Sequence, residues 1–146
     1  IAQVHQTTKW TTSVCTGALG LGAAGVLKGL RASTHWLAHD VLKQFGAIPT
    51  KERVVRDGKV CTAAGVSAGI DMALTLLAEE FGRDAAQLVQ LLIEYDPQPP
   101  FDAGSPDKAP PQIVSTGAGM RSQASFTCSR DSMELSHTKS APPSFT

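Results

Sequence analysis

The chain has 146 residues, with 13 lysines and arginines balancing 13 aspartates and glutamates. That length suits one domain, and an apolar share of 42% leaves room for a packed core. Zero net charge argues against the basic footprint of a nucleic-acid binder, and no apolar run or charged-apolar-small leader suggests a membrane span or a signal segment.

Taken in chain order, residues 2–8 read as the end of a surface helix and residues 10–14 as a short strand. Residues 17–28 read as a buried helix, apolar nearly all round. Its glycines lower helix propensity, and close approach to a sheet is the expected return. Gly29 is a stop signal. Residues 31–34 read as a second strand. Residues 37–45 read as a helix with Leu37, Val41, Leu42 and Phe45 on one face, ending at Gly46. "RVVRDGKVCTAA" is the clearest local signal: two β-rich runs flank Asp57-Gly58, a type I′ hairpin turn. Ser67 then caps a helix with Ile70, Ala73, Leu74, Leu77 and Phe81 at helical spacing, up to Gly82. Asp84 with Gln87 resembles a capping box opening a last helix through Ile93. The prolines of "EYDPQPPFDAGSPDKAP" forbid regular structure. Residues 111–146 are rich in Ser, Thr, Gly and Pro, and read as a disordered tail behind a domain of residues 1–110. Strands alternating with helices predict an α/β domain with a mainly parallel sheet. Two core strands and one hairpin are too few to complete it.

Cys15 lies between the strand of residues 10–14 and the following helix. A nucleophile at such a turn points out of the carboxyl edge of the sheet. The backbone N–H groups of Thr16 and Gly17 face the same space and favour a thiolate and developing negative charge. Gly17 suits a backbone that doubles back, as in a nucleophile elbow with cysteine in place of serine. The plainer alternative is that Cys15 is a small core residue. His35 follows the second strand and reaches the same edge, where it could shuttle a proton; alternatively it bonds a backbone carbonyl.

The other candidates read as structural. "GLGAAG" matches GxGxxG, with Asp40 downstream, yet Gly20 lies inside the helix rather than at a strand end, so a dinucleotide loop is rejected. His39 faces solvent, Cys61 packs in the hairpin, Cys128 has no assigned role, and Trp10 and Trp36 are packing residues. Asp71 and Glu94 are candidate acids, although a helical carboxylate is usually solvated. Three widely spaced cysteines without CxxC argue for a reducing, cytoplasmic setting, and the four histidines lack metal-site spacing.

"SVCTGALGLGAAGVLKGLRASTHWLAHDVLKQFGA" followed by "RVVRDGKVCTAAGVSAGIDMALTLL" resembles the ThiJ/PfpI superfamily, also described as class I glutamine amidotransferase-like. Cys-Thr-Gly and "IEYDPQPPFDAGSP" look most like its isocyanide hydratase group. The resemblance covers roughly residues 8–110. It implies a flavodoxin-like sandwich, a homodimer, a small-molecule substrate, no metal and no organic cofactor. It also implies a reactive Cys15, with Thr16 as a donor beside it. In the group's reaction a thiolate adds to an isocyanide and water releases an N-formamide. Family members carry a preceding strand-helix-strand segment with an acidic residue near the cysteine. Here that segment is expected to be missing, and the chain to be N-terminally truncated and impaired in activity. The alternative implied by related domains is a redox- or ligand-sensing module. A regulator of that kind would carry an attached helix-turn-helix, which the sequence does not suggest.

Overall fold

The computed structural model describes residues 1–120; Cys128 and the rest of the sequence from residue 121 lie outside the described residues. The chain divides into two units, Ile1–Pro100 and Phe101–Thr146. In the first unit the helices are α1 (Ala2–Thr7), α2 (Gly17–Ala23), α3 (His39–Gln44), α4 (Ala68–Phe81) and α5 (Arg83–Leu92). The strands are β1 (Thr11–Val14), β2 (Arg31–Ala32), β3 (Ile48–Pro49), β4 (Val54–Asp57) and β5 (Val60–Ala63). A 3₁₀ turn, Trp36–Ala38, precedes α3.

β5 is the central strand of the β1-β5-β4 sheet, parallel to β1 and antiparallel to β4. β2 and β3 form a separate parallel pair. Two of the three pairings are therefore parallel, and the mixed α/β class expected from the sequence holds. All four residues of β5 are buried, so both of its faces are covered. Its alternation divides the core. Val60 joins a cluster with Ala18, Leu21 and Leu27 around α2, Leu42 of α3 and Ala32 of β2. Cys61 and Ala63 point the other way, onto Ala68 and Met72 of α4. The result is a sandwich with α2 and α3 on one side of the sheet and α4 on the other.

β2 is joined to the hairpin by side chains. The Arg31 N–H donates to Asp57 Oδ2 at 2.9 Å, and the Ser33 N–H to Thr62 Oγ1 at 2.8 Å. The Ser33 hydroxyl donates to the Glu52 carbonyl at 2.8 Å. Ser33 and Thr62 are fully buried, and these bonds satisfy polar groups that would otherwise be stranded.

Several local expectations are corrected. The helix expected over residues 17–28 stops at Ala23. Gly25, at φ 75°, supports a Schellman cap in which the N–H groups of Gly25 and Val26 bond the carbonyls of Gly22 and Leu21. Gly22 meets α3 rather than the sheet: a Cβ there would lie 2.6 Å from the Phe45 ring. The hairpin loop is Gly58-Lys59, because Asp57 already pairs with Val60. Only its first residue, Gly58, is left-handed, as in a type II′ turn rather than I′. Ser67 makes no capping bond; its hydroxyl accepts from Arg53 Nη2 at 3.2 Å. The last helix is preceded by Gly82 and makes no side-chain cap bond, so Asp84 and Gln87 form no capping box. In the second unit residues 111–120 are helical. Pro111 suits the first turn of a helix, where its missing N–H has no acceptor to lose, so the expectation of no regular structure fails over those residues.

Candidate active site

β1 ends against α2 in a single left-handed residue, Cys15, at φ 59°. A β-carbon disfavours that conformation by about 1–2 kcal/mol, so the surroundings must hold it. The Cys15 N–H donates to the carbonyls of Ala63 and Ala64, at 3.1 and 2.7 Å. The Cys15 carbonyl accepts the Thr34 hydroxyl at 2.8 Å and, at 3.4 Å, the Ala18 N–H. The turn is thus bonded to the ends of both β5 and β2. Cys15 is half-buried, while Thr16 and Gly17 are exposed. The N–H groups of Thr16 and Gly17 open α2 and have no acceptor within the helix.

The absence of a β-carbon at Gly17 leads one to expect the sharp backbone turn there. The structure assigns it to Cys15: Gly17 is not left-handed, and a Cβ there would meet Ser13 Cβ at an ordinary 3.5 Å.

His35 immediately follows the buried Thr34 and is half-buried. Its Nδ1 accepts the Leu37 N–H at 3.4 Å, which assigns the proton of the neutral ring to Nε2. The ring lies 5.9 Å from that of Trp36. A Cβ on Gly65, in the loop after β5, would contact His35 Cδ2 at 3.9 Å. Cys15 and His35 are therefore brought to the same carboxyl end of the strands. Among the described residues no hydrogen bond joins them.

The other candidates are engaged elsewhere. Asp71 is ion-paired to Arg53 and accepts the Tyr95 hydroxyl at 2.9 Å. Glu94 is exposed just beyond α5. Cys61 is fully buried: burial pushes its thiol up, Glu79 adds to the effect, and Arg56 opposes it. Trp10 packs as expected, with Nε1 on Glu80 at 2.6 Å and the Arg56 guanidinium 4.9 Å from its ring. Among the described residues no group of three or more His, Cys, Asp or Glu side chains could hold a metal, and no helix is long and apolar enough to cross a membrane. Thr34 was missed by sequence reasoning. Its only signal is a hydroxyl pair, Ser33-Thr34, inside a segment expected to be buried strand.

An α/β sandwich with a cysteine at a strand-to-helix elbow is the class these features define. The model of the DJ-1/PfpI family matches residues 1–79, and the chain belongs to that family. It is 62% identical over 106 residues to the isonitrile hydratase of Pseudomonas putida, covering 73% of this chain and 46% of that protein. Over 75 residues it is 39% identical to the HTH-type transcriptional regulator CdhR of Pseudomonas aeruginosa, covering 49% of this chain and 22% of that one. The crystal structure of a THiJ/PfpI family protein from Pseudomonas syringae superposes with a TM-score of 0.81 at 47% identity, covering 84% of this chain and 50% of that one. The chain spans about half the length of the hydratase and of that solved structure.

Proposed function

We propose that the chain is part of an enzyme that hydrates isonitriles, with Cys15 as its nucleophile. The observation that carries this reading is the 62% identity to an isonitrile hydratase over a stretch of 106 residues. The left-handed Cys15 at the mouth of α2 supports it. The Cys15 thiolate adds to the terminal isonitrile carbon and forms the C–S bond. A proton delivered to that carbon gives a thioimidate. Water then adds across the thioimidate C=N bond, its oxygen to carbon and a proton to nitrogen; the C–S bond breaks, the hydroxyl proton returns to regenerate the Cys15 thiol, and an N-substituted formamide leaves. Overall one isonitrile and one water give one formamide. Thr16 and Gly17 contribute N–H donors beside the thiolate, and His35 serves proton transfer in the release of Cys15 from the water adduct, a step separate from proton delivery to the isonitrile carbon.

The test is formamide production from an aryl isonitrile by the protein expressed from its natural reading frame, wild type beside Cys15→Ala. Loss of turnover in the variant is expected; equal rates overturn the reading. The same reading carries a homodimer in a reducing, cytoplasmic setting where Cys15 and Cys61 stay free. Sedimentation of the same sample checks the dimer.

The likeness to CdhR favours a second reading, a redox- or ligand-sensing module that uses Cys15. Reversible oxidation of Cys15 by peroxide, together with no formamide production, would select it.

A further inference from the structure

We propose that Thr34 is a positioning residue for the elbow: its hydroxyl fixes the plane of the Cys15–Thr16 peptide, and so the direction in which Thr16 presents its N–H. This rests on the reading that Cys15 and the Thr16 N–H act together. The Thr34 hydroxyl donates to the Cys15 carbonyl at 2.8 Å from a fully buried side chain. No peptide bond of the described chain is cis, so the carbonyl of Cys15 and the N–H of Thr16 lie in one plane and point in opposite directions within it. Holding one aims the other. The other donor to that carbonyl, the Ala18 N–H, lies at 3.4 Å and constrains it weakly. Thr34 is itself immobilised. Its neighbour Ser33 is bonded at the backbone to Thr62 and through its hydroxyl to Glu52, at 2.8 Å each. Beyond Cys15, the N–H groups of Thr16 and Gly17 are free to face a ligand, so the hydroxyl of Thr34 controls a donor it does not touch.

The experiment is alkylation of Cys15 by iodoacetamide in the full 146-residue chain, followed across pH for wild type, Thr34→Val and Thr34→Ser. Peptide mass spectrometry separates Cys15 from Cys61 and Cys128. Thr34→Val keeps the shape of the side chain and removes the donor. Its rate at neutral pH should fall about three- to tenfold, the worth of one hydrogen bond, and its profile should move to higher pH. Thr34→Ser should restore both. In the wild type, NMR should find the Thr34 hydroxyl proton protected from exchange with water, a measurement that does not depend on any variant folding. A Thr34→Val protein that melts lower with an unchanged alkylation profile would overturn the proposal, leaving Thr34 a merely structural residue. A freely exchanging hydroxyl proton would overturn it as well. Iodoacetamide requires no isonitrile turnover, so failure of the hydratase reading and failure of this one are separately visible.

Discussion

Cys15 and Cys61 differ by environment rather than by chemistry. Cys15 is half-buried at a turn, whereas Cys61 is fully buried in β5 with its thiol pushed up by burial and by Glu79. Thiolate and access together set thiol reactivity. With limiting iodoacetamide, the folded chain should label Cys15 well before Cys61, and faster labelling of Cys61 would refute the elbow reading. Glu94 offers a second test at this scale. It is left-handed at φ 50°, in a Schellman cap where its own N–H bonds the Leu91 carbonyl and the Tyr95 N–H bonds the Gln90 carbonyl. Glycine adopts that conformation without the steric penalty. Glu94→Gly should therefore stabilise the chain by about 1 kcal/mol, a rise of roughly 3 °C in Tm by calorimetry. Cys15 was legible because its cue is local, a cysteine between a β-branched run and a helix. Thr34 was not, because its partner lies 19 residues away in sequence.

α4 shows where periodicity fails at the scale of an element. Its apolar residues form two stripes. The one expected to be core includes Ile70 and Phe81, which are 38% and 74% exposed; the one that packs is Ala68 and Met72, with Leu76 beside them. Both stripes have helical spacing, so the sequence pattern cannot choose between them. The small N-terminal residues can: Gly69 sits so close to β1 that a Cβ would lie 3.1 Å from Val14. β3 was missed for another reason. It has two residues, one of them a proline, and among the described strands it pairs with β2. The far end of α4 gives a pH-dependent contact. Hydrogen bonds from Lys9 and then from Trp10 hold the Glu80 carboxyl below the usual carboxylate range. A carboxyl lowered in the folded state contributes stability above its unfolded pKa and loses it as pH falls through the folded one. The stability difference between wild type and Glu80→Gln should be present at neutral pH and vanish in acid. Denaturant melts across that range would measure it, and a difference that persists in acid would contradict the assignment.

For the molecule as a whole, the alternation of strands and helices was legible, and so was the strand-to-helix turn at Cys15. The extent of pairing was not, because β2 docks through Asp57 and Thr62 side chains that no strand pattern encodes. Among the described strands β1, which carries the elbow, pairs only with β5, so one of its edges is open. An open edge invites pairing with another strand or aggregation. Proton supply points the same way. Thioimidate formation needs an acid, and general acid catalysis is worth about 10²–10⁴ in rate. Asp71 is held by Arg53 and Tyr95, and Glu94 is exposed in its helix cap, so neither of the acids the sequence offered serves Cys15. His35 has one ring nitrogen accepting from the Leu37 backbone and no bond to Cys15. The polypeptide of residues 1–146, purified alone, should therefore produce formamide from an aryl isonitrile at a rate close to that of its Cys15→Ala variant. Iodoacetamide should nonetheless label Cys15 in the same sample, which separates the presence of the nucleophile from the supply of the proton. Turnover well above the Cys15→Ala control would mean that a residue within the 146, with His35 first to be tested by His35→Asn, supplies the proton after all.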